Sequence, residues 1–148
     1  MRPVLLDTNV ISELRKGKYR IDANVLRWSQ ELDIESCYLS VITLFELERG
    51  ILLLQKKDPK QAVGLARWFC DMRDREFKGR TLSIGVEIAS RAASLQSENP
   101  KSLPDALIAA TALERKLIIA TRNTQDYLES GASVMNPWEP GSPVTVML

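Results

Sequence analysis

The sequence predicts an α/β fold, with a parallel sheet covered by helices on both faces. Three observations carry this. Short apolar runs of strand length alternate with stretches at helical spacing, the pattern of βαβ units. One of those runs, LIIAT from Leu117, is apolar without interruption, as a strand buried on both faces must be. No repeat or linker divides the 148 residues, which suffice for one domain with one sizeable core.

PVLLD opens the chain as a short buried strand ending in Asp7. From Thr8 the period changes. Val10, Ile11 and Leu14 sit at helical spacing, and Gly17 stops the run. Ile21, Val25, Trp28 and Leu32 form the stripe of a second helix. CYLSV, from Cys37, is a second strand, and Leu44, Leu47, Ile51 and Leu54 mark a third helix. Asp58-Pro59 reads as an N-cap followed by proline at the first helical position. The helix it opens turns Ala62, Leu65, Phe69 and Met72 inward. RTLSI, from Arg80, is a third strand. Val86 to Glu98 is helical and Asn99-Pro100 breaks it. Pro104 opens another helix, with Leu107, Ala110 and Leu113 on one face. LIIAT follows, and Ser133 to Met135 forms a last short strand. The tail EPGSPVTVML has no period, so the expected organisation is a domain over 1–138 and a C-terminal extension over 139–148.

Composition removes whole classes of chemistry. The formal net charge is +1, so the chain as a whole is not a polybasic nucleic-acid binder. There is no histidine, which excludes Ser-His-Asp and Cys-His catalysis and His-ligated zinc. Cys37 and Cys70 match neither a zinc nor a redox spacing, and two buried thiols are the expectation. No apolar run approaches the ~20 residues of a membrane span, and no signal-peptide pattern opens the chain. The expected location is a reducing cytosol. Arg15, Lys16, Lys18 and Arg20 read as a solvated loop. Trp28, Trp68 and Trp138 read as core or interface anchors.

The acidic residues are the informative ones. In open parallel sheets, ligands bind outside the carboxyl ends of the strands. Asp7 ends the first strand. Glu46 is expected in the first turn of the helix after the second strand. Asp105 lies in the first turn of the helix leading into LIIAT, and Asn123 and Asp126 follow LIIAT. All are therefore expected on one rim. Crowded carboxylates repel unless a cation joins them. An oxygen-only donor set favours Mg²⁺ or Mn²⁺, which activates water and neutralises a phosphoryl transition state. Each residue also has a purely structural reading. Thr43 and Glu46 form a capping-box spacing, Asp105 suits a helix dipole, Asp7 suits an N-cap, and Asp126 suits a turn.

On these residues the sequence resembles the PIN-domain ribonucleases, in particular VapC toxins of the FitB-like branch. The matching pieces are VLLDTNVISEL, LSVITLFELERGI, LPDALIAATALERKL, IIATRNTQDY and MNPW, in that order from residue 4 to 138. The resemblance implies a three-layer α/β/α fold with about five parallel strands in the order 3-2-1-4-5. It implies a cytoplasmic toxin of a type II toxin–antitoxin pair, acting as a Mg²⁺- or Mn²⁺-dependent endoribonuclease. The implied partners are RNA as substrate, a VapB-like antitoxin, a second copy in a homodimer and a larger toxin–antitoxin hetero-oligomer. DNA is met only through the antitoxin, and no membrane is involved.

Carried over residue by residue, Asp7, Glu46 and Asp105 match the first three acidic positions. The fourth falls where this chain has Asn123, with Asp126 the nearest carboxylate. The expected catalytic set is therefore Asp7, Glu46, Asp105 and Asp126, and the expected metal set Asp7, Glu46, Asp105 and Asn123. Thr121 fits a hydroxyl lining the site, Asn9 a partner orienting Asp7, and Arg122 a contact for phosphate. Hydrolysis by water would leave 5′-phosphate and 3′-hydroxyl ends. Two rivals stand beside this reading. A haloacid-dehalogenase-type phosphatase expects a second Asp where Asn9 stands. A catalytically degenerate module that binds RNA or a partner is disfavoured by the intact Asp7, Glu46 and Asp105, and left open by Asn123.

Overall fold

The computed structural model describes residues 2–139 and 141. Five parallel strands form one sheet in the order β3-β2-β1-β4-β5. They are β1 (Val4–Leu6), β2 (Cys37–Ser40), β3 (Thr81–Leu82), β4 (Ile118–Ala120) and β5 (Ser133–Met135). β1 is central. It pairs with β2 through Val4 and Cys37 on one side, and with β4 through Leu5 and Ile119 on the other. The order agrees with the one the resemblance implies.

Six helices connect the strands: α1 (Thr8–Leu14), α2 (Ala23–Glu31), α3 (Val41–Lys57), α4 (Pro59–Asp71), α5 (Val86–Glu98) and α6 (Leu103–Arg115). Alternate residues of a strand face opposite sides, and the core divides accordingly. Leu5 and Ile119 pack with Ile88 and Ala92 of α5 and with the alanines of α6. Val4, Leu6 and Ala120 pack against Val10 and Ile11 of α1, with Met72 and Phe77 beyond α4. Trp28, Trp68 and Trp138 are half-buried anchors on this second face. Two apolar layers on either side of one sheet make the three-layer α/β/α architecture.

Several boundaries move for local reasons. Val41 was expected to end β2, but the Ser40 side chain accepts from the Ile42 N–H and caps α3, so Val41 begins the helix. Asp58 caps α4 with Pro59 at its start, as the sequence predicts. Leu65 of α4 is only half-buried, while Ala62, Phe69 and Met72 are buried. Met72 belongs to a π-helical turn, Met72–Glu76, that widens the end of α4. β3 keeps only Thr81 and Leu82 of the expected run. In α6, Ala106, Ala109 and Ala110 are buried outright, whereas Leu107 and Leu113 only lean on the core. Small side chains bring α6 close to its neighbours, so its buried face follows the alanines rather than the leucines.

Cys37 is buried as expected. Cys70 is exposed on α4, correcting the expectation of two buried thiols, and both are free. Among the described residues no helix is long and apolar enough to cross a membrane. Of the expected extension 139–148, only Glu139 and Gly141 are described; the rest lies outside the described residues.

Candidate active site

The carboxyl ends of β1 and β4 meet because the sheet ladder continues one residue beyond each strand. The Asp7 N–H donates to the Ala120 carbonyl at 3.0 Å, and the Thr121 N–H donates to the Met135 carbonyl at 3.0 Å. This sets the Asp7 and Thr121 side chains on one rim. Both are buried, Asp7 at 8% exposure and Thr121 at 0%.

Asp7 serves local structure and the rim at once. Its Oδ1 accepts from the Thr8 N–H at 2.8 Å, so it is the N-cap of α1. Its Oδ2 accepts from the Thr121 hydroxyl at 2.9 Å and from the Tyr127 hydroxyl at 3.0 Å. The Tyr127 oxygen also lies 3.3 Å from Asp105 Oδ1. Carrying a single proton, that hydroxyl donates to one carboxylate at a time. Asp105 stands in the first turn of α6, which Ser102 caps by accepting from the Asp105 N–H at 3.2 Å. A string of hydrogen bonds thus joins the ends of β1 and β4 to the start of α6.

Glu46 joins this string through Thr8, whose hydroxyl donates to Glu46 Oε1 at 2.8 Å. Glu46 is not in the first turn of α3 as expected. The helix begins at Val41, which places Glu46 in its second turn. The capping-box reading of Thr43 and Glu46 fails for the same reason: Ser40 is the cap, and Thr43 is a buried residue inside the helix.

Among the described residues, the Asn9 side chain is linked to the Asp7 carboxylate through Thr121. Its Nδ2 donates to Thr121 Oγ1 at 3.3 Å, and its Oδ1 accepts from the Arg122 N–H at 3.1 Å. The Asn123 N–H donates to Thr121 Oγ1 at 3.0 Å, while the Asn123 residue itself is exposed. The Arg122 guanidinium lies over the Trp138 ring, 5.2 Å from its centre. Asp126 is exposed in a 3₁₀ turn, Thr124–Asp126. It borders a polar cleft of about 320 Å³ shared with Asp105, Ser102, Lys101 and Glu129.

Burial raises the Asp7 carboxyl above its ordinary range. Donors from Thr121, Thr8 and Tyr127 oppose this, and the nearby charge of Asp105 adds to it. Burial also drives the Tyr127 phenol far upward, with the Asp7 and Asp105 charges acting in the same sense. Tyr127 therefore stays protonated and acts as a donor. The sequence reading passed over it. The available signal was an aromatic with a polar tip, one residue after Asp126 in the rim segment TRNTQDY.

Comparison with known proteins bears on the same residues. The PIN domain family model matches residues 4–129, from β1 through Tyr127. The chain belongs to the PIN-domain family. Three curated relatives of this PIN domain match along nearly their whole length. It is 37% identical to the plasmid stability protein StbB of Pseudomonas syringae, covering 92% of this chain and 99% of that one. It is 33% identical to the VapC ribonuclease Y4jK of Sinorhizobium fredii, covering 93% and 99%. It is 34% identical to Toxin FitB of Neisseria gonorrhoeae, covering 91% and 98%. Among solved structures, FitAB bound to an IR36 DNA fragment superposes with a TM-score of 0.80 at 33% identity, covering 92% of this chain and 96% of that one.

A divalent cation is implied by the family resemblance, and the donor set fits one by its chemistry. Asp7, Asp105, Glu46 and Asn123 offer oxygen atoms only, the hard donors Mg²⁺ and Mn²⁺ prefer. In position the fit is partial. Among the described residues, no three acidic, cysteine or histidine side chains converge on one point. Asp7 and Asp105 approach each other across Tyr127, while Glu46 is turned toward Thr8.

Proposed function

We propose that this PIN domain is the toxin component of a type II toxin–antitoxin pair and hydrolyses RNA phosphodiesters as a Mg²⁺- or Mn²⁺-dependent endoribonuclease. The observation that carries the proposal is the pairing of Asp7 with Asp105 on the carboxyl rim of the sheet, within a domain matched by the PIN family from residue 4 to 129. The names of its relatives, a VapC ribonuclease and Toxin FitB, support the reaction class and the toxin role.

Asp7, Glu46 and Asp105 would hold the ion, with Asn123 offering its carbonyl oxygen and Asp126 a carboxylate beside Asp105. The ion, when bound, supplies a water of lowered pKa and neutralises charge at phosphorus. The chain does the rest. Thr8 keeps Glu46 Oε1 within reach of the Asp7 end of α1, and Thr121 fixes the rotamer of Asp7. Asn9 holds the start of the Arg122 segment against Thr121, and Trp138 fixes the Arg122 guanidinium, the cation offered to substrate phosphate. With no histidine in the sequence, a His-pair mechanism leaving cyclic phosphate has no residues to run on.

The proposed partners are a VapB-like antitoxin, supported by the likeness to FitAB, and a second copy of the chain in a homodimer within a toxin–antitoxin hetero-oligomer. DNA contact would come through the antitoxin, and the site of action would be the cytoplasm. Residues 1–138 would form the nuclease domain and 139–148 an extension.

The test is RNA cleavage by purified antitoxin-free protein in Mg²⁺, Mn²⁺ and EDTA, beside Asp7→Asn. Cleavage that needs metal, is lost in the variant and leaves 5′-phosphate ends is expected. Cleavage surviving both EDTA and Asp7→Asn would refute the carboxylate site. Metal-independent RNA binding without cleavage would favour the degenerate binding module.

A further inference from the structure

Tyr127 is 1% exposed, yet among the described residues its hydroxyl is the one group that touches two carboxylates of the site. Its oxygen lies 3.0 Å from Asp7 Oδ2 and 3.3 Å from Asp105 Oδ1. These carboxylates come from different parts of the fold, the end of β1 and the first turn of α6. The hydroxyl comes from a third, the turn after β4.

The two acids are supported unequally. Asp7 has two other donors, Thr121 and the Thr8 N–H. Among the described residues, Tyr127 supplies the one hydrogen bond to the Asp105 carboxylate. The Tyr127 ring packs in the same apolar layer as α5 and α6, so it is rigidly mounted. A phenylalanine would fill that layer equally well. What tyrosine adds is a fixed oxygen midway between two like charges. One proton shared between two carboxylates leaves the pair a donor short, and a cation meets that deficit.

We propose that Tyr127 is a positioning residue, whose hydroxyl sets the spacing of Asp7 and Asp105 so that both carboxylates address one divalent cation. This rests on the metal-dependent reading above. Without the hydroxyl the two carboxylates repel and swing apart, and binding an ion must first draw them together. Removing a hydrogen-bond partner of a metal ligand lowers metal affinity by about 10–100-fold.

The experiment is Mn²⁺ binding to the purified full chain, read from the electron paramagnetic resonance signal of free Mn²⁺, for wild type, Tyr127→Phe and Asp7→Asn. Wild type binds, Asp7→Asn does not, and Tyr127→Phe binds about tenfold more weakly. RNA cleavage by Tyr127→Phe falls at low Mn²⁺ and recovers at saturating Mn²⁺. A residue that only packs the core would lower stability and leave the Mn²⁺ affinity of the folded protein unchanged; that result overturns the proposal alone. Wild-type protein that binds no Mn²⁺, or binding that survives Asp7→Asn, overturns the metal reading and this proposal with it. If Tyr127→Phe does not fold, wild type carrying 3-fluorotyrosine replaces it, its resonances assigned with Tyr19→Phe and Tyr38→Phe. Mg²⁺ must then shift the Tyr127 fluorine signal, and a signal that does not move overturns the proposal.

Discussion

The Thr121 hydroxyl donates to Asp7 Oδ2 at 2.9 Å, joining residues 114 positions apart in the chain. The same oxygen accepts from Asn9 Nδ2 and from the Asn123 N–H. A hydroxyl has one proton and two lone pairs, and here all three are used. Thr121→Val keeps the shape of the side chain and removes all three bonds. The expected cost is about 2 kcal/mol of stability, because the buried Asp7 carboxylate and the part-buried Asn9 amide and Asn123 N–H lose their hydrogen bonds. Urea denaturation measures it, and a midpoint equal to wild type would show that the Asn9, Asp7 and Asn123 contacts carry no weight.

Asp7 is expected to destabilise the fold at neutral pH. Burial raises its folded pKa above the ordinary 3.8. Below 3.8 the carboxyl is protonated in both states and contributes nothing. As pH rises, the unfolded chain ionises first, so it holds fewer protons than the native state and stability falls. The penalty is complete once pH exceeds the folded value. Asp7→Asn lacks this term. In metal-free thermal melts the variant should unfold at higher temperature than wild type at pH 7, with the gap closing as pH falls toward 4. A gap that widens on acidification would mean that the donors to Asp7, not its burial, dominate.

Asn123→Asp adds a carboxylate beside Thr121 on the same rim. Charge count tunes the affinity of oxygen-ligand sites for divalent ions. The expected outcome is Mn²⁺ binding stronger by about tenfold, with little change in unfolding temperature because the residue is exposed. The parallel variant Asp126→Asn tells which position completes the acidic set, since the one that matters loses or gains metal affinity and the other does not.

Lys116 ends α6 in the left-handed region, at φ 57° and ψ 48°. It is the one non-glycine with positive φ among the described residues. The left-handed conformation costs a side-chain-bearing residue about 1–2 kcal/mol, part of which glycine returns through its greater backbone entropy loss. Lys116→Gly should therefore stabilise by about 0.5 kcal/mol, read from chemical denaturation, with RNA cleavage unchanged.

The strands were legible because each is a dense apolar run, and the rim because parallel topology puts every strand end on one edge. Asp7 and Asp105 could thus be placed together from opposite halves of the sequence. Glu46 was misplaced within its helix because the capping residue was Ser40, hidden inside what looked like strand. The leucines of α6 outweighed its alanines in any hydropathy pattern, although close approach favours the smaller residues. Tyr127 was illegible for a different reason. Its importance lies in a contact with a residue 120 positions away, and it sits in a run of 3₁₀ turns without period. No local pattern records such a contact.

β1 lies at the centre of the sheet, and one of its two neighbours is formed by residues 118–120. A nascent chain therefore makes Asp7 well before its partners and cannot seat it until Thr121 and Tyr127 have left the ribosome. Until then half of β1 has no partner, and Asp7 lacks two of its three donors. If this chain is the toxin we propose, the threading of its sheet gives it a delay. Incomplete chains, whether stalled in synthesis or clipped by proteases, carry the acids without the geometry. Harm to the host then depends on finishing the molecule.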